Sequence, residues 1–198
     1  MSVTLTPPQL REKPPTAAMH FEPLSWARLI WWTVFAAAFG YVEAAVVNYL
    51  RRYAGMAPGL DYPAILAARG LPFDSAHVLG LMRQVDVLNA ELTREAATML
   101  LLIGAAWAAG RTTREKWGLF AFTFAVWDLT YYLWLLILTG FPRSLTDTDL
   151  YFLIPWAWYG PVWFPVCLFM PAAIVLALWL LRTPGKANVR AVGATARH

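Results

Sequence analysis

Five ionisable side chains lie inside or against long apolar runs: Glu43 in YVEAAVVNYLRRY, Glu91, Arg94 and Glu95 in ELTREAATMLL, and Asp128 in AVWDLTYYLWLL. A carboxylate in apolar surroundings takes up a proton, pairs with a cation, or acts on a bound group. Glu91 and Glu95 are four residues apart, so they share one helical face and repel each other if both are ionised. A proton or a cation between them relieves that repulsion; Arg94 reaches one of them from a neighbouring face or through another helix. Asp128 and Tyr132 share a face, with Ala121 and Ala125 below, and a phenol beside a carboxylate can hold a proton or a substrate oxygen. These types and spacings mark Glu43, Glu95 and Asp128 as candidate catalytic groups. The wider candidate binding set is Glu43, Asn48, Glu91, Arg94, Glu95, Asp128 and Tyr132.

The elements that carry them follow from length. A helix of about 20 residues crosses the roughly 30 Å hydrocarbon layer of a bilayer. Ala27–Leu50 is long enough for a first span. The apolar part of the second, Ala96–Gly110, is too short, so the helix must begin near Ala90 and take in Glu91, Arg94 and Glu95. Lys116–Thr139 makes a third span, stopped by Gly140 and Pro142. The fourth lies within Tyr151–Leu181 and is broken by Pro155, Pro161, Pro165 and Pro171, each of which removes a backbone donor. The stretch before Pro161 fits a re-entrant or interfacial hairpin as well as a helix. Residues 51–90 form an outer loop with a short helix over Ala76–Gln84, capped by Asp74 or Ser75. Asp147 and Asp149 are expected to cap a helix start.

Composition supports this class. Apolar residues (AVILMFWYC) make up 59% of the 198 residues and charged residues 14%, and mean hydropathy is +0.48. A soluble domain carries about 45–50% and about 25%. An ordinary soluble enzyme and a disordered chain are both excluded. Net charge is +4, but no Lys/Arg cluster exceeds Arg51-Arg52, so nucleic acid is not an expected partner. One cysteine, Cys167, permits no internal disulfide, and three scattered histidines write no Cys/His zinc signature. The identity of any metal or cofactor stays open.

Residues 1–25 are polar and proline-rich and read as a mobile cytoplasmic tail without a signal-peptide core, so the first span is expected to serve as an uncleaved anchor. Residues 26–182 form one four-span domain and 183–198 a basic cytoplasmic tail. Ten of the sixteen Lys and Arg residues fall on the side of the two tails. The positive-inside bias therefore puts both termini in the cytoplasm and residues 51–90 outside. At about 1.5 Å per residue, Glu43, Glu95 and Asp128 all lie in the middle to outer half of the bilayer. Ala36, Gly40, Ala44 and Asn48 form a small-residue stripe beside Glu43 that brings another helix close, and Glu43 is expected to approach Asp128 in the bundle interior, directly or through water or an ion.

Each signal has a plainer reading. Glu95 and Arg94 can snorkel to the interface. Glu43 and Asp128 can be helix-packing glue. His77 reads as a surface residue.

YVEAAVVNYLRRY, REAATMLLLIGAAWAAG and WDLTYYLWLLILTGFP, followed by FLIPWAWYGPVWFP, resemble a group of small uncharacterised bacterial inner-membrane proteins over roughly residues 35–170. The resemblance implies a four-span membrane protein and nothing about mechanism.

The sequence thus predicts an all-α, integral membrane four-helix bundle with a partly helical outer loop. It predicts an outward-facing intramembrane carboxylate/tyrosine pocket for a cation or a lipid-like amphipathic substrate. Two other classes stay in view: a non-catalytic accessory subunit of a larger membrane complex, and an oligomeric proton-coupled transporter. Expected partners are membrane lipids, with other membrane subunits or self-association as further possibilities.

Overall fold

A computed structural model describes residues 24–55 and 62–183. The expectations for the two tails lie outside the described residues, apart from Leu24, Ser25 and Thr183.

Among the described residues, four helices are long and apolar enough to cross a membrane. The first, α1 (Trp26–Tyr53), starts where the Ser25 hydroxyl accepts the Arg28 N–H. Two short helices follow, α2 (Tyr62–Ala68) and α3 (Ser75–Gln84). Asp74 caps α3, accepting the His77 N–H at 3.0 Å, and this backbone bond holds its carboxyl below the usual range. The second long helix, α4 (Leu88–Ala109), begins two residues before Ala90 and runs through Glu95 without a break. The third, α5 (Thr113–Thr139), is capped by Thr112 and ends at Gly140, whose φ of 77° lies in the left-handed region that glycine tolerates best.

The chain then forms an antiparallel hairpin of β1 (Thr148–Phe152) and β2 (Trp158–Pro161). Thr148 pairs with Pro161 and Leu150 with Tyr159, and a bulge falls between Leu150 and Phe152. The proline-rich stretch before Pro161 is therefore this hairpin and not helix. Asp147 and Asp149 do not cap a helix. Asp147 accepts the N–H groups of Arg143 and Ser144 in a turn, and Asp149 sits on β1, 1% exposed.

The last long helix opens as a π-helical turn, Phe164–Phe169, and continues as α6 (Met170–Arg182). Pro165 and Pro171 cannot donate to carbonyls four residues back. The wider turn suits them: the Met170 N–H reaches the Pro165 carbonyl, five residues earlier. The Pro161 carbonyl, which Pro165 cannot serve, accepts the Tyr151 hydroxyl at 2.6 Å instead.

Helix α5 is central, packed against α1, α6 and α4. Gly40 lets α1 come close; a Cβ there would lie 2.9 Å from the Trp127 carbonyl oxygen. Ala36, Leu102 and Trp127 fill the space between α1, α4 and α5. A separate apolar core, including Tyr62, Leu66, Val78, Met82, Leu88 and Leu153, joins α2, α3 and the hairpin loop to the start of α4. These pieces form a cap over one end of the bundle.

Candidate functional site

Polar side chains collect beneath this cap. Glu43 of α1 is 4% exposed, and both its oxygens are used. Its Oε1 pairs with the Arg94 guanidinium and its Oε2 accepts the Thr98 hydroxyl at 3.0 Å. Arg94 also donates twice to Glu91 Oε2 on its own helix, at 2.9 and 2.7 Å. One guanidinium thus spans two acids on two helices. A guanidinium suits that task because its donors form a planar fork.

Glu95, one turn beyond Glu91, is also 4% exposed, so it does not snorkel. Its carboxylate accepts the successive N–H groups of Leu153 and Ile154, each at 2.8 Å. Those amides lie just past β1, where no strand partner serves them. Glu95 therefore fastens the hairpin to α4.

The hairpin is fastened a second time. The Tyr132 hydroxyl donates to Asp149 Oδ2 at 2.8 Å, and Arg51 lies 3.7 Å from Asp149 Oδ1, over the face of Phe141. Asp149 and Arg51 belong to the site although sequence reading did not select them. The signal was faint: Thr148, Tyr151 and Phe152 are residue types that favour strands, and a strand puts Asp149 on one face with Tyr151.

Asp128 behaves differently from the other acids. It is 7% exposed, and its Oδ2 is buried with no hydrogen-bond partner among the described residues. The Trp127 indole N–H is likewise buried without a partner. Asp128 is close enough to Tyr132 and Tyr151 for its charge to act on both hydroxyls. No direct bond joins it to Glu43 among the described residues; Glu43 bonds to Arg94 and Thr98. Asn48 stands apart from the acids: its side chain accepts from Arg52 at 3.1 Å on the outer flank of α1. His77 pairs with Asp74 at the surface of α3, 2.9 Å away.

Beneath the cap lies a cavity of about 30 Å³, lined by Arg51, Glu91, Arg94, Glu95, Tyr131 and Tyr151 among others; Glu43 and Asp128 are not part of its lining. A water needs about 10–15 Å³ on the same measure, so the space suits waters or one small ion. Burial, with the charges of Asp149 and Asp128, pushes the Tyr151 hydroxyl up to about 12, which keeps it a neutral donor. Among the described residues, no three His, Cys, Asp or Glu side chains converge on a point where they could jointly hold a metal ion.

The charge balance of the cluster is uneven. Glu43, Glu91, Glu95, Asp128 and Asp149 are all buried, and the guanidinium groups facing them are Arg51 and Arg94. Acids in excess within a low-dielectric space raise the local affinity for protons and cations.

Comparison with protein-family models, with curated proteins and with solved structures finds no match for this chain.

Proposed function

We propose that the chain is a multi-pass protein of the bacterial inner membrane that binds a small cation in the acidic cluster beneath its cap. The four long helices cross the bilayer, both termini lie in the cytoplasm, and the cap faces outward. Large apolar side chains on the outside of the bundle support insertion: Trp31, Leu100 and Val175 are 72%, 70% and 69% exposed. Surface of that kind on several helices needs a cover, and lipid provides one. The charge count of the loops supports the orientation.

The observation that carries the cation reading is Asp128, a buried carboxylate with an unpartnered oxygen in a cluster whose acids outnumber its guanidiniums. Intramembrane carboxylates are costly and mark ion or proton sites.

The test uses purified protein in a neutral detergent. Sodium, potassium and ammonium chlorides are compared with choline chloride at equal ionic strength, and the unfolding temperature is read. At least one small cation should raise it by several degrees, and Asp128→Asn should remove most of that rise. Equal response to all four salts would defeat the reading. Topology is tested separately, with cysteines introduced at Ser2 and Ala68 in a Cys167→Ser background. An impermeant reagent applied to intact cells should label only Ala68→Cys.

A further inference from the structure

Three helix ends meet away from the cap: the start of α1, the start of α5 and the end of α6. The Leu24 N–H reaches the Leu181 carbonyl, and a Cβ on Gly118 would meet the Leu181 side chain. Each end carries an arginine that reaches the next helix. Arg28 of α1 lies 3.5 Å from Glu115 of α5. Arg114 of α5 donates to the Leu180 carbonyl of α6 at 3.0 Å and lies over Trp179, 4.5 Å from the ring centre. Arg182 of α6 lies over Trp26 of α1, 3.9 Å from the ring centre. These contacts close a circle of guanidiniums drawn from three helices.

The circle is short of negative charge. Among the described residues Glu115 is the carboxylate at this end, and it is already used: it pairs with Arg28 and accepts the Arg111 N–H at 2.9 Å. The same helix ends carry Arg28, Arg111, Arg114, Lys116 and Arg182. The arginines of the circle are also served unequally. Arg28 has its carboxylate, and Arg114 has two carbonyls and the Thr183 hydroxyl. The Arg182 guanidinium makes no hydrogen bond among the described residues, and its Nη1 is buried without a partner. A ring face occupies the flat of a guanidinium and leaves its in-plane donors unfilled.

We infer that this circle seats the phosphate of an anionic phospholipid, with the Arg182 guanidinium as its principal donor. The inference needs the chain to lie in a bilayer and is independent of the cation reading. Two features select this occupant. Trp26, Trp117 and Trp179 are 63%, 50% and 55% exposed around the same end, and exposed indoles settle at the level of lipid head groups. Phosphates lie at that level, and guanidinium donors match their oxygens. The surplus of cations then favours a head group with net negative charge. A zwitterionic head group would bring its own ammonium against the same arginines.

The experiment titrates the purified full-length protein, in dodecyl maltoside, with phosphatidylglycerol, phosphatidylethanolamine and phosphatidylcholine, reading unfolding temperature by circular dichroism. Phosphatidylglycerol should stabilise the protein at concentrations about fivefold or more below the other two, since each basic residue near a lipid surface contributes about 1 kcal/mol. Arg182→Gln should weaken that response about fivefold. Arg83→Gln, the same change of charge on an exposed residue of α3, should leave it unaltered. Where Arg182→Gln does not fold, Lys116→Gln, beside the circle, should weaken the response about twofold. High salt should also weaken it. Equal response to all three lipids would overturn the inference, and so would equal losses in Arg182→Gln and Arg83→Gln. Stabilisation by inorganic phosphate at the same concentrations would show a site for free anions and overturn the lipid assignment. A protein that needs detergent yet ignores phosphatidylglycerol defeats this inference alone. A protein that stays dissolved and folded without detergent defeats the membrane reading beneath it.

Discussion

The capped end of the bundle and its opposite end use the same kinds of charged residue in opposite ways. At the opposite end, charges fasten helix termini near the surface. Arg114 of α5 donates to the last carbonyls of α6, at Leu180 and Trp179, and to the Thr183 hydroxyl. Arg28 sits 3.5 Å from Glu115 with a side chain 42% exposed, and Arg182 lies over Trp26. The Arg114 contacts satisfy carbonyls that every helix end leaves open, and the Arg28–Glu115 pair stays partly exposed. At the capped end the acids are buried, and they bind guanidiniums, two hydroxyls and the backbone of a hairpin. Burying that many charges is costly. The contrast separates charge used to finish a helix from charge kept in the interior, and the latter bears the greater cost.

The largest effect is expected at Arg94. Arg94→Met leaves Glu43 and Glu91 buried without their shared cation, and breaking a buried pair costs about 3–5 kcal/mol. Denaturant unfolding in detergent should show a loss near that range. A loss under 1 kcal/mol would mean that the capped end is no less solvated than the other, and the contrast would collapse.

Glu95→Gln should cost less, about 2 kcal/mol, because the amide still accepts one of the two backbone bonds while the charge is lost. The effect should be local. Hydrogen exchange should quicken at Leu153 and Ile154 and stay unchanged in α6. Uniformly faster exchange would instead make Glu95 part of the bundle core.

Arg114→Met tests the opposite end. It removes donors to carbonyls that solvent can partly serve, so about 1 kcal/mol is expected. A cost equal to that of Arg94→Met would erase the distinction.

The smallest effect concerns Tyr151. Its folded pKa of about 12 exceeds its ordinary value near 10, so the native state holds the proton longer than the unfolded chain. The stability this contributes is complete below pH 10 and is lost as pH rises from 10 to 12. Phenolate absorbance should show fewer tyrosines titrating near pH 10 in the folded protein than in the unfolded chain, and Tyr151→Phe should lower that difference by one.

Much of the helical framework was legible because length alone constrains it. The apolar stretch of α4 could not cross a bilayer unaided, so Glu91 and Glu95 had to be helical, and they are. Asp74 before Ser75 gave the start of α3. The hairpin was the part left open. Its strands are only five and four residues long, its residues are almost all apolar or aromatic, and its proline positions suit a broken helix equally well. Without the hairpin, Asp149 read as a helix cap, and its pairing with Arg51, almost a hundred residues away in sequence, had no local trace. The Glu43–Arg94 pair was missed for a related reason. Depth in a bilayer orders residues along one axis, but partners are chosen around the helix, where Arg94 was the better placed.

The π-helical turn at Phe164–Phe169 sets which edge of α6 meets α5. The chain leaves the hairpin at a fixed angle, since the N–H groups of Val162 and Trp163 are held by the carbonyls of Asp147 and Leu145. Every later side chain inherits its compass bearing from that point. A π turn holds one residue more than an α turn, and in an α-helix one residue is about 100° of rotation. The extra residue is thus a phase setting, and it brings Leu181 against Gly118 of α5. Deleting a single residue there would leave the composition of α6 almost untouched, yet would swing its tightly packed edge outward and present a different edge to α5.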